Sequence, residues 1–228
     1  MKKVVDSFNP SLFSGKCVVV SGATSGIGLA LAHGFVALGA QVEATGSSEA
    51  KIAAAVSDAQ NAGIRFHRLD VRDSAAVTAW MQERAQIDVL INAQGIARPG
   101  DEWSEPGFLD VMDVNLNSAF RLTMSALPQL EASGGCVINF ASMLSYLADA
   151  EVPAYTASKT GILGLTRALG DQVVGGGDEE PCTHRGAGKR QRRGESLSCF
   201  SDGRPAMTGK WVRPGGLSLA GIRAIMKI

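Results

Sequence analysis

The stretch Ser21-Gly22-Ala23-Thr24-Ser25-Gly26-Ile27-Gly28 decides the fold of this chain. The apolar run Lys16 to Val20 precedes it and predicts a buried parallel strand. The alanine- and leucine-rich segment Leu29 to Leu38 follows it and predicts a helix that ends at Gly39. Glycines between a strand and a helix let the backbone approach a pyrophosphate, whose negative charge the helix N-terminus favours. The flanks therefore favour a dinucleotide-binding turn over an ordinary flexible glycine loop.

The alternation of strands and helices continues to about residue 170. Further strands are expected over residues 41–45, 64–69, 87–92 and 136–140, and further helices over 49–62, 74–84, 109–127 and 155–169. The helix over 109–127 is expected to stop near Pro128. Such alternation predicts an α/β fold with a doubly wound parallel sheet.

A second pattern lies in the run Tyr155-Thr156-Ala157-Ser158-Lys159. On a helix, Tyr155 and Lys159 would stand one turn apart on the same face. A nearby cation favours an ionised phenol, so Tyr155 could give and take a proton near neutral pH. Alone, the pattern Tyr-x-x-x-Lys is typical of an exposed helix pair, and the motifs upstream give it weight.

Together these motifs resemble those of the short-chain dehydrogenase/reductase family, whose members are single-domain Rossmann proteins. The turn at 21–28 resembles the family's Thr-Gly-x-x-x-Gly-x-Gly, with Ser21 in place of threonine. Asp70-Val71 resembles the segment that meets the adenine ring. Asn92-Ala93-Gln94-Gly95 resembles the family's Asn-Ala-Gly-Gly type segment, with Gln94 as a departure. The resemblance is nearest to 3-oxoacyl-acyl-carrier-protein reductases and sugar-acid dehydrogenases, without separating them.

The resemblance implies a catalytic tetrad of Asn115, Ser142, Tyr155 and Lys159. Tyr155 would exchange a proton with the oxygen of a ketone or secondary alcohol, and Ser142, thirteen residues before it, would hydrogen-bond that oxygen. Lys159 would bind the nicotinamide ribose, and Asn115 would position a water that relays protons. Taken singly, Ser142 could instead be a loop hydroxyl, Asn115 a helix-bend residue and Asp70 a strand-end cap.

The cofactor that the resemblance implies is NAD(P). Its expected binding residues are Ser21, Gly22, Thr24, Ser25, Gly26, Ile27, Gly28, Ser47, Asp70, Val71, Asn92, Ala93, Gln94, Tyr155 and Lys159. An NAD-preferring member usually ends its second strand with an acid, where Gly46 stands here. Neither Ser25 nor Ser47 is the basic residue that often binds a 2′-phosphate, but the hydroxyls of residues 45–48 could bind one. NADP is therefore weakly favoured over NAD.

Composition limits the possible partners and the cellular compartment. The 228 residues can bury a sizeable core, and the formal net charge of zero argues against a nucleic-acid partner. The four cysteines show neither paired spacing nor a metal-ligand pattern, which suits the reducing cytoplasm; they are Cys17, Cys136, Cys182 and Cys199. No signal peptide or membrane-spanning run is recognisable. We expect a cytoplasmic enzyme without a metal, acting on a small carbonyl or alcohol substrate and, as the resemblance implies, forming a homodimer or homotetramer.

The chain changes character at about Asp171, which divides a catalytic region, 1–170, from an atypical tail, 171–228. Residues 175–181 are typical of a linker, and a basic run follows at 189–193. The family's sixth strand and Pro-Gly turn are not recognisable there, while residues 207–216 faintly resemble its last strand. The sheet is therefore expected to be incomplete or irregular at its C-terminal end.

Two explanations of the tail stay open. One is a natural divergent segment, such as a basic arm for nucleic acid or a partner. The other, which we favour, is a frame error in the coding sequence, because codons of residues 184–192 read one nucleotide out of frame permit Val-Arg-Val-Asn-Ala, a segment of the missing strand. The coding DNA would decide between them. The alternative function is a catalytically weak or inactive nucleotide-binding protein with a disordered or partner-binding tail.

Overall fold

A computed structural model describes residues 7–171, 207–212 and 218–227, the last two ranges as backbone strands. The strands are β1 Cys17–Ser21, β2 Gln41–Gly46, β3 Ile64–Arg68, β4 Val89–Asn92, β5 Cys136–Phe140, β6 Met207–Val212 and β7 Ser218–Lys227. The helices are α1 Gly26–Ala37, α2 Glu49–Ser57, α3 Ser74–Gln82, α4 Glu105–Met112, α5 Ser118–Ser133 and α6 Pro153–Asp171.

The strands form one sheet in the order β3-β2-β1-β4-β5-β7-β6, and β1 to β5 run parallel. The prediction of a doubly wound parallel sheet is confirmed. The strand order reverses between β1 and β4, which pair with Val18 opposite Val89. In open parallel sheets, ligands bind in the crevice at the carboxyl ends of such strands.

The core lies on both faces of the sheet. Val18, Val19 and Val20 of β1 are fully buried, because helices cover both sides of this central strand. On one face Val19 packs with residues of α3 and α5, and on the other Val18 and Val20 pack with α1. Burial on both faces explains why β1 is a continuous apolar run rather than an alternating one.

The prediction of a helix over 109–127 that stops near Pro128 is wrong at both ends. The helix begins four residues earlier, where the Ser104 hydroxyl accepts from Gly107 N–H at 3.1 Å. It passes through a π-helical turn, Asp113–Asn117, and continues through Pro128 to Ser133. Leu127 and Leu130 on either side of the proline are buried in the core, and this packing outweighs the proline's cost to the helix.

The C-terminal strands extend the sheet beyond β5, and their pairing is irregular between Thr208 and Lys210, as expected for this end of the sheet. The strand β7 lies parallel beside β5, with Ile225 opposite Ile138, and β6 pairs antiparallel with β7 at the outer edge. The region 207–216, which faintly resembles the last strand of the family, thus contains the strand β6, which runs antiparallel to β7. The strand β7 was not predicted. The linker at 175–181 and the basic run at 189–193 lie outside the described residues.

Candidate active site

A cleft of about 450 Å³ follows the carboxyl ends of β1, β2 and β4. Its wall contains most of the residues predicted to bind a cofactor: Ser21, Gly22, Thr24, Ser25, Ile27, Gly28, Ser47, Asp70, Val71, Ala93 and Gln94. Gly26 begins α1 beside the cleft, with a φ of 59°. The Asn92 side chain lies in the core instead, where its amide donates to Asn139 Oδ1 at 2.8 Å and so joins β4 to β5.

The glycine turn brings backbone against backbone at the floor of the cleft. Gly22 has a φ of 76°, and a Cβ placed on it would lie 2.6 Å from the Cα of Gln94. A Cβ on Gly28 would press against the carbonyl oxygen of Gly22. The N–H groups of Gly22 and Ala23 both donate to the Thr45 carbonyl at 3.0 Å, which holds the turn against the end of β2. Only glycine fits at these two positions without displacing main chain.

The N-terminus of α1 differs from those of the next three helices. Ser48, Asp73 and Ser104 cap α2, α3 and α4 with their side chains. Ser25, at the same position of α1, makes no capping hydrogen bond, and the first turn of α1 contains no acidic residue. Its free N–H groups and positive helix end therefore suit a phosphate anion. Together with the glycine turn, this set of donors fits the pyrophosphate of a dinucleotide.

Charged side chains line the outer part of the cleft, and the sequence-based prediction did not include three of them: Lys51, Arg72 and Arg98. Arg72 pairs with Asp70 at 2.7 Å and with Asp110 at 2.8 Å, and Arg98 pairs with Asp110 at 2.6 Å. The hydrogen bonds from Arg72 hold the pKa of Asp70 below its usual range. Asp70 thus lines the cleft and is engaged with a cation. Within the described part of the chain, Lys51 has no ion-pair partner.

Lys159 is buried beside Tyr155. Its side chain is 6% exposed, and its Nζ lies 5.7 Å from the centroid of the Tyr155 ring. The ammonium donates to the carbonyl oxygen of Phe140 at the end of β5, at 2.8 Å. Burial lowers the pKa of Lys159 to about 8. Tyr155 itself is half-buried, and the lining residues of the cleft include neither Tyr155 nor Lys159.

Asn115 sits in the π-helical turn, a local widening that is frequent at functional sites. Its amide is paired both ways with the backbone of Ile96, accepting from N–H at 2.8 Å and donating to the carbonyl at 2.9 Å. A Cβ placed on Gly95 would lie 3.6 Å from Asn115 Oδ1 and 3.7 Å from Lys159 Nζ. Asn115 and Lys159 therefore flank the same point of the loop that follows β4.

Ser142 follows β5 and begins a short 3-10 turn. Its hydroxyl oxygen accepts from Leu144 N–H at 3.2 Å, and its own N–H donates to the Ser145 hydroxyl at 3.2 Å. Ser145 in turn donates to the Lys159 carbonyl at 2.8 Å, so this serine, absent from the predicted site, ties the Ser142 turn to α6. Because the Ser142 oxygen acts as an acceptor in this turn, its hydroxyl hydrogen can be directed to another oxygen.

The lowered pKa of Lys159 predicts a pH dependence of stability. Between its folded pKa of about 8 and its ordinary value of 10.5, the unfolded chain keeps a proton that the folded chain has lost. The contribution of this group to the free energy of unfolding therefore rises with pH across that window, by about 3 kcal/mol in total. Lys159→Met should remove this rise. Between pH 7.5 and 9.5, the free energy of unfolding measured in urea should rise by about 2 kcal/mol more for wild type than for the variant. If the difference between the two proteins does not change with pH, the lowered pKa of Lys159 is contradicted.

The described residues contain neither a membrane-spanning helix nor a cluster of metal ligands. No described helix is long and apolar enough to span a membrane. No group of three or more His, Cys, Asp or Glu side chains in the described ranges could hold a metal ion.

Comparison with known proteins places the chain in a family. The model of the short chain dehydrogenase family matches residues 16–176. The chain is 32% identical over 179 residues to 2-dehydro-3-deoxy-D-gluconate 5-dehydrogenase of Dickeya dadantii, covering 74% of this chain and 69% of that protein. It is 32% identical over 177 residues to the 3-oxoacyl-acyl-carrier-protein reductase FabG of Salmonella typhimurium, covering 72% and 70%.

A solved structure agrees with the sequence matches. The citronellol catabolism dehydrogenase AtuB of Pseudomonas aeruginosa PAO1 is similar with a TM-score of 0.66 and 28% identity, covering 72% of this chain and 71% of that chain. The predicted family resemblance is confirmed: this chain belongs to the short-chain dehydrogenase family of oxidoreductases.

Proposed function

We propose that this chain is an NAD(P)-dependent oxidoreductase that interconverts a secondary alcohol and a ketone, with Tyr155 as general acid and base. The observation that carries the proposal is the buried Lys159 beside Tyr155, in a fold whose neighbouring cleft ends at the uncapped α1. When bound, the nicotinamide supplies or accepts the hydride. The relatives' names, a sugar-acid dehydrogenase and a 3-oxoacyl reductase, support this class of substrate.

Each of three residues of this chain would have a separate role at the substrate oxygen. In the direction of reduction, the Tyr155 O–H bond breaks and its proton passes to the carbonyl oxygen as the carbonyl carbon accepts a hydride. Ser142 donates a hydrogen bond to the same oxygen and holds it in line with the phenol. In its protonated form, Lys159 favours the phenolate that the transfer leaves behind.

The test of this function uses the full chain and two readouts. Thermal unfolding with and without NADH and NADPH measures binding, and the reduction of a generic diketone, followed at the nicotinamide absorbance, measures turnover. We expect at least one cofactor to raise the Tm by several degrees and to support turnover. Binding without turnover would favour the alternative of a nucleotide-binding protein with weak catalysis, and the absence of binding by either cofactor would defeat both functions.

Within this function, we propose that NADP is preferred over NAD. Lys51 lines the cleft in the first turn of α2, next to Ser47 and Ser48, and is not neutralised by an ion pair among the described residues. Arg68, at the end of β3, donates to the Ser47 carbonyl at 3.4 Å and pairs with the exposed Glu49 at 3.9 Å. A 2′-phosphate placed here would meet the hydroxyl donors of Ser47 and Ser48 and the positive charge of Lys51.

Lys51→Ala should weaken the binding of NADPH about tenfold, because one charge-assisted contact of about 1.5 kcal/mol is lost. The affinity for NADH should change by less than twofold, which makes NADH the control ligand for the same variant. Fluorescence titration with both cofactors measures the two Kd values. An equal loss for NADH and NADPH would show that Lys51 does not contact a 2′-phosphate.

We also propose that the protein pairs with itself through α5 and α6, as expected from the family resemblance. A groove of about 640 Å³ lies between these helices, and its apolar lining includes Leu116, Phe120, Met124 and Leu165. Phe120 is 52% exposed in the single chain, and covering it would remove apolar surface from water. Light scattering of the chain in solution would give the mass of a dimer or tetramer if this face is paired.

A further inference from the structure

The loop between β4 and α4 makes close contacts with the residues just before α6. The N–H of Gly100 donates to the Glu151 carbonyl at 3.4 Å, and the indole N–H of Trp103 donates to the Ala150 carbonyl at 2.8 Å. Between these two contacts lies Glu102. Its neighbours Asp101 and Trp103 are exposed, whereas Glu102 is only 1% exposed, so its side chain is directed into the protein.

The carboxylate of Glu102 accepts two backbone hydrogen bonds. One oxygen accepts from the N–H of Arg98 at 2.7 Å, in its own loop. The other accepts from the N–H of Tyr155 at 2.8 Å, in the first turn of α6. Tyr155 is the third residue of that helix, where a backbone N–H has no acceptor within the helix. A residue 53 positions away in the chain thus caps the helix that carries the phenol.

Burying a carboxylate costs free energy unless its oxygens accept hydrogen bonds. At Glu102 both oxygens do so. The helix N-terminus favours the negative charge, and two N–H groups that point at the carboxylate require two acceptor atoms. Glutamine has the same shape but presents one oxygen and one NH₂ group. One of the two N–H groups would then face another donor.

We propose that Glu102 is a positioning residue for the proton transfer at Tyr155: it fixes the backbone of Tyr155 and thereby the direction of the phenol. This inference rests on the proposed function. Lys159, one turn after Tyr155 on α6, is anchored to β5 by its hydrogen bond to the Phe140 carbonyl. Glu102 anchors the backbone of Tyr155, so each of the two residues has its own fixed contact outside α6. A small displacement of a proton donor costs a large part of its rate contribution.

The experiment compares Glu102→Gln with Glu105→Gln, the same chemical change at an exposed position in the first turn of α4. Four quantities are measured for each: the Tm, the Kd for NADPH, kcat for diketone reduction, and the solvent deuterium isotope effect on kcat. For Glu102→Gln we expect kcat to fall at least tenfold with the Kd within twofold of wild type. The isotope effect should increase, because proton transfer becomes slower than the other steps. Glu105→Gln should match wild type in all four.

Each outcome decides the proposal. A folded Glu102→Gln protein with the kcat of wild type overturns the proposal. A parallel loss of kcat and cofactor affinity, without a change in the isotope effect, also overturns it, because that result would indicate a purely structural residue. Glu102→Asp, which keeps the charge on a shorter side chain, should have a kcat between those of Glu102→Gln and wild type. If neither variant folds, Glu102 serves stability alone, and the proposal is overturned. An inactive wild type would instead count against the proposed function, so the two failures are distinguishable.

Discussion

Tyr155→Phe should reduce kcat about a thousandfold while the Kd of the cofactor stays within about twofold of wild type. The substitution removes only the phenol oxygen, and the remaining ring can keep its place 5.7 Å from Lys159. The hydride can still be delivered, but the substrate oxygen must then take its proton from water. A positioned acid or base of this kind typically contributes a factor of about 10² to 10⁴.

The chain contains a matched control for this variant. Only two tyrosines are present, and the second, Tyr146, lies nearby and is 58% exposed. Tyr146→Phe should leave both kcat and cofactor binding unchanged. Single-turnover reduction of the diketone, with cofactor binding measured separately by fluorescence, checks both variants. A Tyr155→Phe protein with the kcat of wild type would remove Tyr155 from the chemistry.

Gly28→Ala should weaken cofactor binding about a hundredfold and lower the free energy of unfolding by about 2 kcal/mol. The added methyl group would press on the Gly22 carbonyl and come within 3.0 Å of the Cα of Ala23. Both neighbours are main-chain atoms of the glycine turn, which is itself bonded to β2 and cannot retreat freely. The N-terminus of α1 would therefore move away from the place where a phosphate would bind.

The control for this variant lies two turns further along the same helix. A Cβ on Gly34 meets nothing within 4 Å, and Gly34 has no left-handed φ. Gly34→Ala should therefore raise the free energy of unfolding by about 1 kcal/mol, the usual gain of alanine over glycine in a helix, and leave cofactor affinity unchanged. Chemical denaturation and fluorescence titration of the two variants separate a steric effect at Gly28 from a general effect of glycine replacement. Equal behaviour of the two would contradict the role given to the turn.

The first five strands and the glycine turn could be predicted from sequence, because each is determined by a local pattern. The run 17–21 is apolar since β1 is buried on both faces, and Gly22 and Gly28 are required by close backbone contacts. The helix through Pro128 could not be predicted, since its continuation depends on core packing and not on local preference. The strand β7 was also missed, because its place beside β5 is a pairing between residues far apart in the chain.

The residues of the candidate site likewise divide into those that a local sequence pattern predicts and those that only the folded structure reveals. Motif spacing predicted Asn115, Ser142, Tyr155 and Lys159 as site residues. In the structure Ser142 follows β5, and Lys159 donates to the Phe140 carbonyl at the end of that strand. Glu102 carried no such signal: in the sequence it is one acid among others in a polar loop, and only its burial and its bond to the Tyr155 N–H distinguish it. Lys51 was missed because the prediction considered Ser25 and Ser47 and did not extend into the first turn of α2.

The polar groups of the centre are anchored largely to main-chain atoms. Asn115 is paired with the backbone of Ile96, Lys159 with the Phe140 carbonyl and Ser142 with the Leu144 N–H. A main-chain atom is retained in nearly every substitution, so these hydrogen bonds do not depend on the identity of the side chains at 96, 140 and 144. Such an arrangement lets the surface that selects a substrate diversify around an unchanged chemical centre, which is how one fold can serve many reactions.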